Sequence, residues 1–579
     1  MRTSVCRADE GVRPTNLRVR SAMGETMGNY LILAMLAMTC LAQTPAPPPT
    51  GTIRGLVLDA ATGDPLPEAD VSALAGGKSI DATTDAQGAY TLRDVPPGKV
   101  QIRATLRANG SRGFGAFATK LVTLGAGQDV SGITFRVARH GEITGKVLDE
   151  NKDPITGITV FLVAPEYRRG VLRHAYASSA TTNDRGEYRV QRVVPGRAYL
   201  LVAEQRRRKI EAISDAPADP KLRKKAPVPT FYPNSPSMDG AIPITLRPGE
   251  TREGMDIRML RAPSLCVEAT LDNGLGPAAL RFEIEQMEPH NGSSGDGGFY
   301  YVTPGGMAGP DGKVRICELH AGQYQLIASG PPAAAEGPPF YGSTIVTLGK
   351  EDVRNVKVPG TAASPLAGEV VWDGPAPQRE YTEKLFVSLN APRRSFRSFG
   401  SVTESRSARL GIPGEFSMSF VLMDDYEVDV TGMPQGLYVK DILYGTASVK
   451  NDVLHIGSAA AGTGLKIVLG QDGGSVSAKV TDKDGNPVSD QNVVLMPPSA
   501  GSEAQFAAAL IFGQTDQNGV YQTATVPPGK YLVLATSLTM DRTPETIRQL
   551  MGMRNRAQEI DVAAGARVQA TLAVTGAPQ

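Results

Sequence analysis

The sequence predicts an all-β protein built from about five tandem antiparallel β-sandwich modules. Three observations predict it: short stretches that alternate apolar and polar residues, abundant turn formers between them (63 glycines and 43 prolines), and a set of phrases that recurs in fixed order along 579 residues. A chain of this length exceeds what one core fills, since domains rarely grow past about 250 residues. Hydrophobic residues at 41% suit a globular chain with many turns. Lys plus Arg total 60 against 59 for Asp plus Glu, so no global field steers the protein onto nucleic acid or an anionic membrane, and any partner is chosen locally.

The first recurring phrase is a strand followed by a turn. Ile53 to Asp59 leads to Asp64-Pro65-Leu66, Ile143 to Asp149 leads to Asp153-Pro154-Ile155, and Val476 to Asp482 leads to Gly485-Asn486-Pro487-Val488. Alternating apolar residues make this a half-buried strand. The second phrase is sharper: Thr84-Asp85-Ala86-Gln87-Gly88-Ala89-Tyr90, closed by Val95-Pro96-Pro97-Gly98. It returns as Asn183-Asp184-Arg185-Gly186-Glu187-Tyr188 with Val194-Pro195-Gly196, and as Thr515-Asp516-Gln517-Asn518-Gly519-Val520-Tyr521 with Val526-Pro527-Pro528-Gly529. A degenerate copy runs from Pro310 to Cys317. The Asp carboxylate is expected to accept backbone amides ahead of it, the Gly to take positive φ, and the Tyr to start a strand with its ring inside. A third phrase ends a module, as in Val122-Thr123-Leu124 through Ile133-Thr134-Phe135 and Ile244-Thr245-Leu246 through Met255-Asp256-Ile257.

Together the phrases divide the chain into modules at 51–138, 139–261, 262–360, 361–470 and 471–579, the fourth resting on strand-like stretches alone. Short strands at regular spacing point to two-sheet sandwiches. Helix is expected to be scarce, with the clearest exceptions in the last module, where Ser502 and Gln505 form a capping box and Thr543-Pro544-Glu545 marks a helix start.

A strand with Gly, a Gly-Asn-Pro-type turn, Asp-x-x-Gly-x-Tyr and Pro-Pro-Gly-x-Tyr together resemble the carboxypeptidase regulatory-like domain. The match is specific in modules one, two and five, faint in three and positional in four. The resemblance implies a transthyretin-like sandwich, also described as immunoglobulin-like, grouped with carbohydrate-binding-like folds. It also implies a multidomain exported bacterial protein in which such domains accompany other modules without being catalytic. The function so implied is non-catalytic binding, with carbohydrate the first ligand class. A structural spacer or assembly scaffold of the cell envelope is the alternative, and an accessory peptidase subunit a weaker third.

At the N-terminus, Tyr30 to Leu41 is an apolar run of signal-peptide length behind Arg18 and Arg20. Residues 1–42 read as a signal peptide cleaved after Ala42, and 43–50 as a Pro-rich linker. Translation from Met23 or Met27, a retained membrane anchor and lipidation of Cys40 are the alternatives. The reading places the protein in the periplasm, cell envelope or exterior, with no membrane span after signal removal. It leaves Cys266 and Cys317 either as a disulfide, worth roughly 4 kcal/mol on the chain-entropy model, or as two buried thiols.

No enzyme is expected, and no metal or cofactor. His140, His174, His290, His320 and His455 are scattered, and none begins a His-Glu-x-x-His or His-x-x-Glu pattern. No Gly-x-Ser-x-Gly elbow occurs, and Gly76-Gly77-Lys78-Ser79 lacks the upstream glycine of a phosphate loop. Asp482 to Asn486 offers oxygens for calcium but lacks the closing Glu of an EF-hand, so a hairpin turn is preferred. The basic run Arg206 to Lys209 with Lys221, Arg223, Lys224 and Lys225 reads as a solvated insertion or as a contact for anionic groups. Tyr300, Tyr301 and Tyr341 are the candidate ligand platforms, because exposed aromatics stack on sugars; packing at a strand edge is the other reading. Expected partners are carbohydrate or envelope proteins, and nucleic acid is not among them.

Overall fold

A computed structural model describes residues 48–75, 77–107, 115–168, 170–205, 225–272, 281–287, 302–308, 312–330, 340–362, 364–375, 385–390, 407–410, 414–421, 425–434, 436–457 and 464–576. The signal peptide reading and the basic run as far as Lys224 lie outside these residues. Among the described residues no helix is long and apolar enough to cross a membrane.

The first module contains β1 (Gly51–Asp59), β2 (Asp70–Ala75), β3 (Lys78–Thr83), β4 (Ala89–Val95), β5 (Gly98–Thr105), β6 (Phe117–Leu124) and β7 (Asp129–Val137). They form two sheets, β4-β1-β7 and β3-β2-β5-β6. The opening strand is central in its sheet: β1 runs antiparallel to β4 and parallel to β7. Every module repeats this. Gly141–Leu148 lies between Glu187–Val193 and the short parallel strands Thr251–Arg252 and Ile257–Arg258. Leu265–Asp272 lies between Lys313–Leu319 and Val353–Ala362. Ser364–Trp372 lies between Gly414–Val421 and Leu465–Gly470. Ser475–Thr481 lies between Val520–Gln522 and Arg567–Thr575. The fourth module thus has the same topology as the others, although its turn phrases are absent.

Alternation along these strands buries one side chain in two, and the buried sets between the strands of each module form a separate core. They run from Ile53 to Val137, Ile143 to Met259, Leu265 to Val358, Leu366 to Leu469 and Val476 to Leu572.

The turn phrases work as local hydrogen-bond devices. Asp85 Oδ1 accepts from the amides of Gln87 (3.0 Å) and Ala89 (2.8 Å), and Asp516 Oδ1 accepts from Asn518 and Val520, both at 3.0 Å. In the second copy this role belongs to Asn183, whose Oδ1 accepts from Arg185 and Glu187, and not to Asp184 as the phrase implies. Asn183 stands three residues before Gly186, as Asp85 stands before Gly88, and its amide oxygen suffices because the acceptor needs reach, not charge. The opening turns use the same device: Asp482 Oδ1 accepts from Asp484 and Asn486, both at 2.9 Å, which accounts for the oxygen-rich run as a turn.

Gly88, Gly186 and Gly519 stand at φ of 71°, 69° and 71°. A Cβ at Gly88 would lie 2.6 Å from Val57 O, so the turn sits against the opening strand.

Tyr90 and Tyr188 are buried, and each hydroxyl donates to a carbonyl of the opposite flanking segment, Ile133 O (2.9 Å) and Met255 O. The hydroxyl crosses over Gly55 or Gly145, the cross-strand partner of each tyrosine. A Cβ on Gly55 would fall 1.8 Å from Ile133 O and 2.9 Å from Tyr90 Oη. In the fifth module the partner of Tyr521 is Ala478, and Tyr521 is only half-buried, packed instead against Gly513.

Among the described residues two α-helices occur, α1 (Glu503–Ala509) and α2 (Pro544–Gly552). Ser502 Oγ accepts from Gln505 N at 3.2 Å, and Thr543 caps α2 with Pro544 in its first turn. The Gln505 side chain reaches back to Gly501 N (3.0 Å), one residue beyond the cap nitrogen of a capping box.

Asp59 ties the first module to the second by accepting from Arg139 Nε at 2.5 Å. Burial by itself would raise the Asp59 carboxyl. The Arg139 hydrogen bond and the amides of Ala61 and Thr62 outweigh it and hold the group below its ordinary range. A depressed folded pKa stabilises above the unfolded value, about 3.9, and that contribution is lost as pH falls through the folded pKa. Asp59→Asn should therefore cost about 1–2 kcal/mol at neutral pH, and the gap to wild type should close in acid; melting curves across pH check both. Gly55→Ala should lower the first module's melting temperature sharply, by about 2 kcal/mol or more of strain, whereas Ala478→Gly in the fifth should cost about 1 kcal/mol or less. Calorimetry resolves the two.

Candidate functional site

The residues singled out as ligand platforms do not assemble into one. Tyr300 and Tyr301 lie outside the described residues. Tyr341 is 2% exposed, on strand Phe340–Leu348, so it is buried and not a platform. Val346 and Leu348 supply this strand's share of the module core, and Tyr341 stands on the opposite phase of the strand, buried outside that core. Cys266 and Cys317 stand on neighbouring strands with Cα atoms 4.0 Å apart, joined by a disulfide.

Histidines play local parts. His320 O accepts from Tyr324 Oη at 2.9 Å, and His455 Nδ1 meets Asp425 Oδ1 at 2.6 Å. Burial lowers the His320 pKa. His290 lies outside the described residues. Among the described residues no three His, Cys, Asp or Glu side chains are grouped to hold a metal.

A constellation of specific contacts lies where the fifth module meets the first two. On the first module, Thr123 of β6 is clamped by the Asp-Gln-Asn-Gly turn of the fifth. Gln517 Oε1 accepts from Thr123 N (2.9 Å), Gln517 Nε2 donates to Thr123 O (2.6 Å), and Asp516 Oδ2 accepts from Thr123 Oγ1 (2.8 Å). Lys120 pairs with Asp490 beside it, and Lys99 Nζ reaches Gln522 Oε1 at 3.4 Å. Both oxygens of Asp516 are thus employed, one inside the turn and one across the seam.

On the second module, the hairpin of Thr159–Arg168 and Val171–Thr181 extends onto the helices of the fifth. Tyr167 joins an apolar cluster with Phe506 and Leu510 from α1 and its end, Ile547 and Leu550 from α2, and Met496. Its hydroxyl donates to Glu503 Oε2 (3.0 Å) and its amide to Arg542 O (2.8 Å). Gly170 lies against α1: a Cβ there would stand 3.1 Å from Ala504 O. A cleft of about 330 Å³ opens beside this seam, lined by Arg197 and Ala198 of the second module and by Asp541, Thr543, Glu545 and Gln549 of the fifth. Most of its charge is satisfied internally, Arg197 by Glu166 at 2.7 Å and Asp541 by Thr543 and Thr546.

Residues 52–138 match the family model of the carboxypeptidase regulatory-like domain. The first module is thus similar to a carboxypeptidase regulatory-like domain. Its opening strand, flanked antiparallel on one side and parallel on the other, is the feature the other four modules repeat. No curated protein sequence matches the chain. Among solved structures, a streptococcal ancillary pilin is 13% identical, covering 54% of this chain and 98% of its own, with a TM-score of 0.18. A minor pilin of Streptococcus agalactiae is 15% identical, covering 37% and 97%, with a TM-score of 0.22. A putative carbohydrate binding protein from Bacteroides uniformis is 8% identical, covering 52% and 100%, with a TM-score of 0.13. Scores at this level carry no inference about function.

The seams escaped sequence reasoning. Gln517 was legible only as the middle of a turn, and α1 and α2 only as capped helices with nothing to say what covers them. Removing the Tyr167 side chain should cost about 2–4 kcal/mol in the seam. In Tyr167→Ala, limited proteolysis should release the fifth module from the second while each core stays protected; an unchanged cleavage pattern would remove the seam's importance.

Proposed function

We propose that the protein is an exported, non-catalytic scaffold of the bacterial envelope, whose five sandwiches are held together to present their surfaces in set positions. One observation carries this reading: the fifth module is fastened to the first by a polar clamp and to the second by an apolar seam, across almost 400 residues of sequence. Two independent fastenings restrain rotation that a single linker leaves free. The recurring polar residues support the same reading, because Asp85, Asn183, Asp516, Tyr90 and Tyr188 are engaged inside the fold and not offered to a substrate. The apolar run from Tyr30 to Leu41 supports export, as does a Cys266–Cys317 disulfide, which persists in oxidising compartments. The module limits at 51–138, 139–261, 262–360, 361–470 and 471–579 belong to this proposal. Envelope proteins are the proposed partners. Carbohydrate recognition loses its described aromatic platform with the burial of Tyr341.

Small-angle scattering and co-sedimentation with insoluble polysaccharides test the reading together. The scaffold gives one scattering profile, that of a body with the fifth module closed on the first two, and stays in the supernatant. An extended, variable string, or saturable retention on polysaccharide, would replace it.

A further inference from the structure

The clamp on Thr123 has a chemical meaning beyond fastening. A primary carboxamide carries the same donor and acceptor as a peptide unit. Gln517 gives Thr123 the two bonds, N–H to oxygen and carbonyl to N–H, that a residue of a neighbouring strand gives in a hydrogen-bonded antiparallel pair. The place it fills is a strand's place.

The phase of β6 shows how far that place extends. Leu106 N donates to Ala116 O, so even-numbered residues of this stretch pair with β5 and odd-numbered ones turn their backbone groups away from it. Thr119, Leu121 and Thr123 therefore present N–H and C=O to the same outer edge. Among the described residues β6 is the last strand of its sheet. Only Thr123 is covered by the clamp.

We propose that β6 is a self-complementary strand edge, that the partner it accepts is β6 of a second copy of this chain, and that Gln517 keeps it closed. A two-fold axis through Leu121 sets Leu121 opposite Leu121 of the second copy and Thr119 opposite its Thr123. All are odd-numbered, so the outward groups meet as hydrogen-bonded pairs. Threonine faces threonine and leucine faces leucine, both favourable cross-strand pairs. Lys120 falls opposite Val122, so like charges do not meet. Phe117, half exposed under the Arg103 guanidinium at 3.7 Å, falls opposite Gly125, which leaves its ring room. Such pairing is isologous and closes at two copies. An open edge of this kind is a liability that proteins cover, and the cover here is particular to the fifth module. The corresponding turn residues are Ala86 in the first module, with no amide, and Asp184 in the second, with no donor. The inference rests on the seam alone and stands whether or not the protein acts as a scaffold.

The test uses the full chain carrying Gln517→Ala with Tyr167→Ala, which removes the clamp's two backbone bonds and the aromatic centre of the apolar seam; raised salt screens the Lys120–Asp490 pair that remains beside them. Ala already occupies the equivalent position of the first module's turn, so the fold tolerates it, and Gln517→Ala alone serves as a second variant. Sedimentation velocity should show wild type at one mass at all concentrations and the double variant passing to twice that mass as concentration rises. Hydrogen exchange should show the Thr123 amide released in Gln517→Ala. Adding Leu121→Pro removes an outward N–H without touching the bonds to β5, and should return the double variant to monomer. A double variant that stays monomeric with Thr123 released, a dimer that survives Leu121→Pro, or a Thr123 amide still protected without Gln517 would each overturn the proposal.

Discussion

The structure depends on one recurring constraint: a short side-chain oxygen at the head of a turn accepts two backbone amides, while a glycine at positive φ lets the turn lie against the opening strand. Asp85, Asn183 and Asp516 each do this. The turn then delivers the strand that pairs with the opening strand. That pairing centres the sheet and decides which residues face the core. A register error of one residue would turn every buried side chain to solvent.

Once the opening strand is flanked on both sides, the tyrosine that follows the turn becomes a brace across the sheet. Tyr90 and Tyr188 reach past a glycine to a carbonyl two strands away, so glycine and tyrosine form a single device. The fifth module has alanine in place of that glycine, and its tyrosine packs elsewhere. The same module also carries the helices and the Gln517 turn. The conserved frame is thus built three times from related phrases, and the last copy is modified to meet its neighbours.

Much of this was legible in the sequence because it is local. Turn, glycine and tyrosine lie within seven residues of one another, and alternation along a strand is visible without its partner. The all-β class, the scarcity of helix and the two helix starts follow from such signals. The fourth module was faint because it reaches the same topology without the turns, through pairing of Ser364–Trp372 with distant strands. The seams were not legible at all. Thr123 and Gln517 are 394 residues apart, and neither is unusual for its strand or turn. Tyr341 was misread for a related reason: an aromatic in a Pro-Gly neighbourhood looks exposed, and its burial, on the phase opposite to Val346 and Leu348, depends on neighbours distant in sequence. The exchange of Asp for Asn183 shows that the turn asks for an oxygen at the right reach, a requirement that residue identity reports only loosely.

The most direct measurement is amide hydrogen exchange, resolved to single residues, at Ala89, Glu187 and Val520. These amides sit at the exits of turns, exposed in the first two modules and set against Thr123 in the fifth, where ordinary loop amides exchange freely. Protection comparable to that of the core strands in all three modules is the predicted result. Exchange at the rate of an open loop would contradict the claim that these turns set the frame.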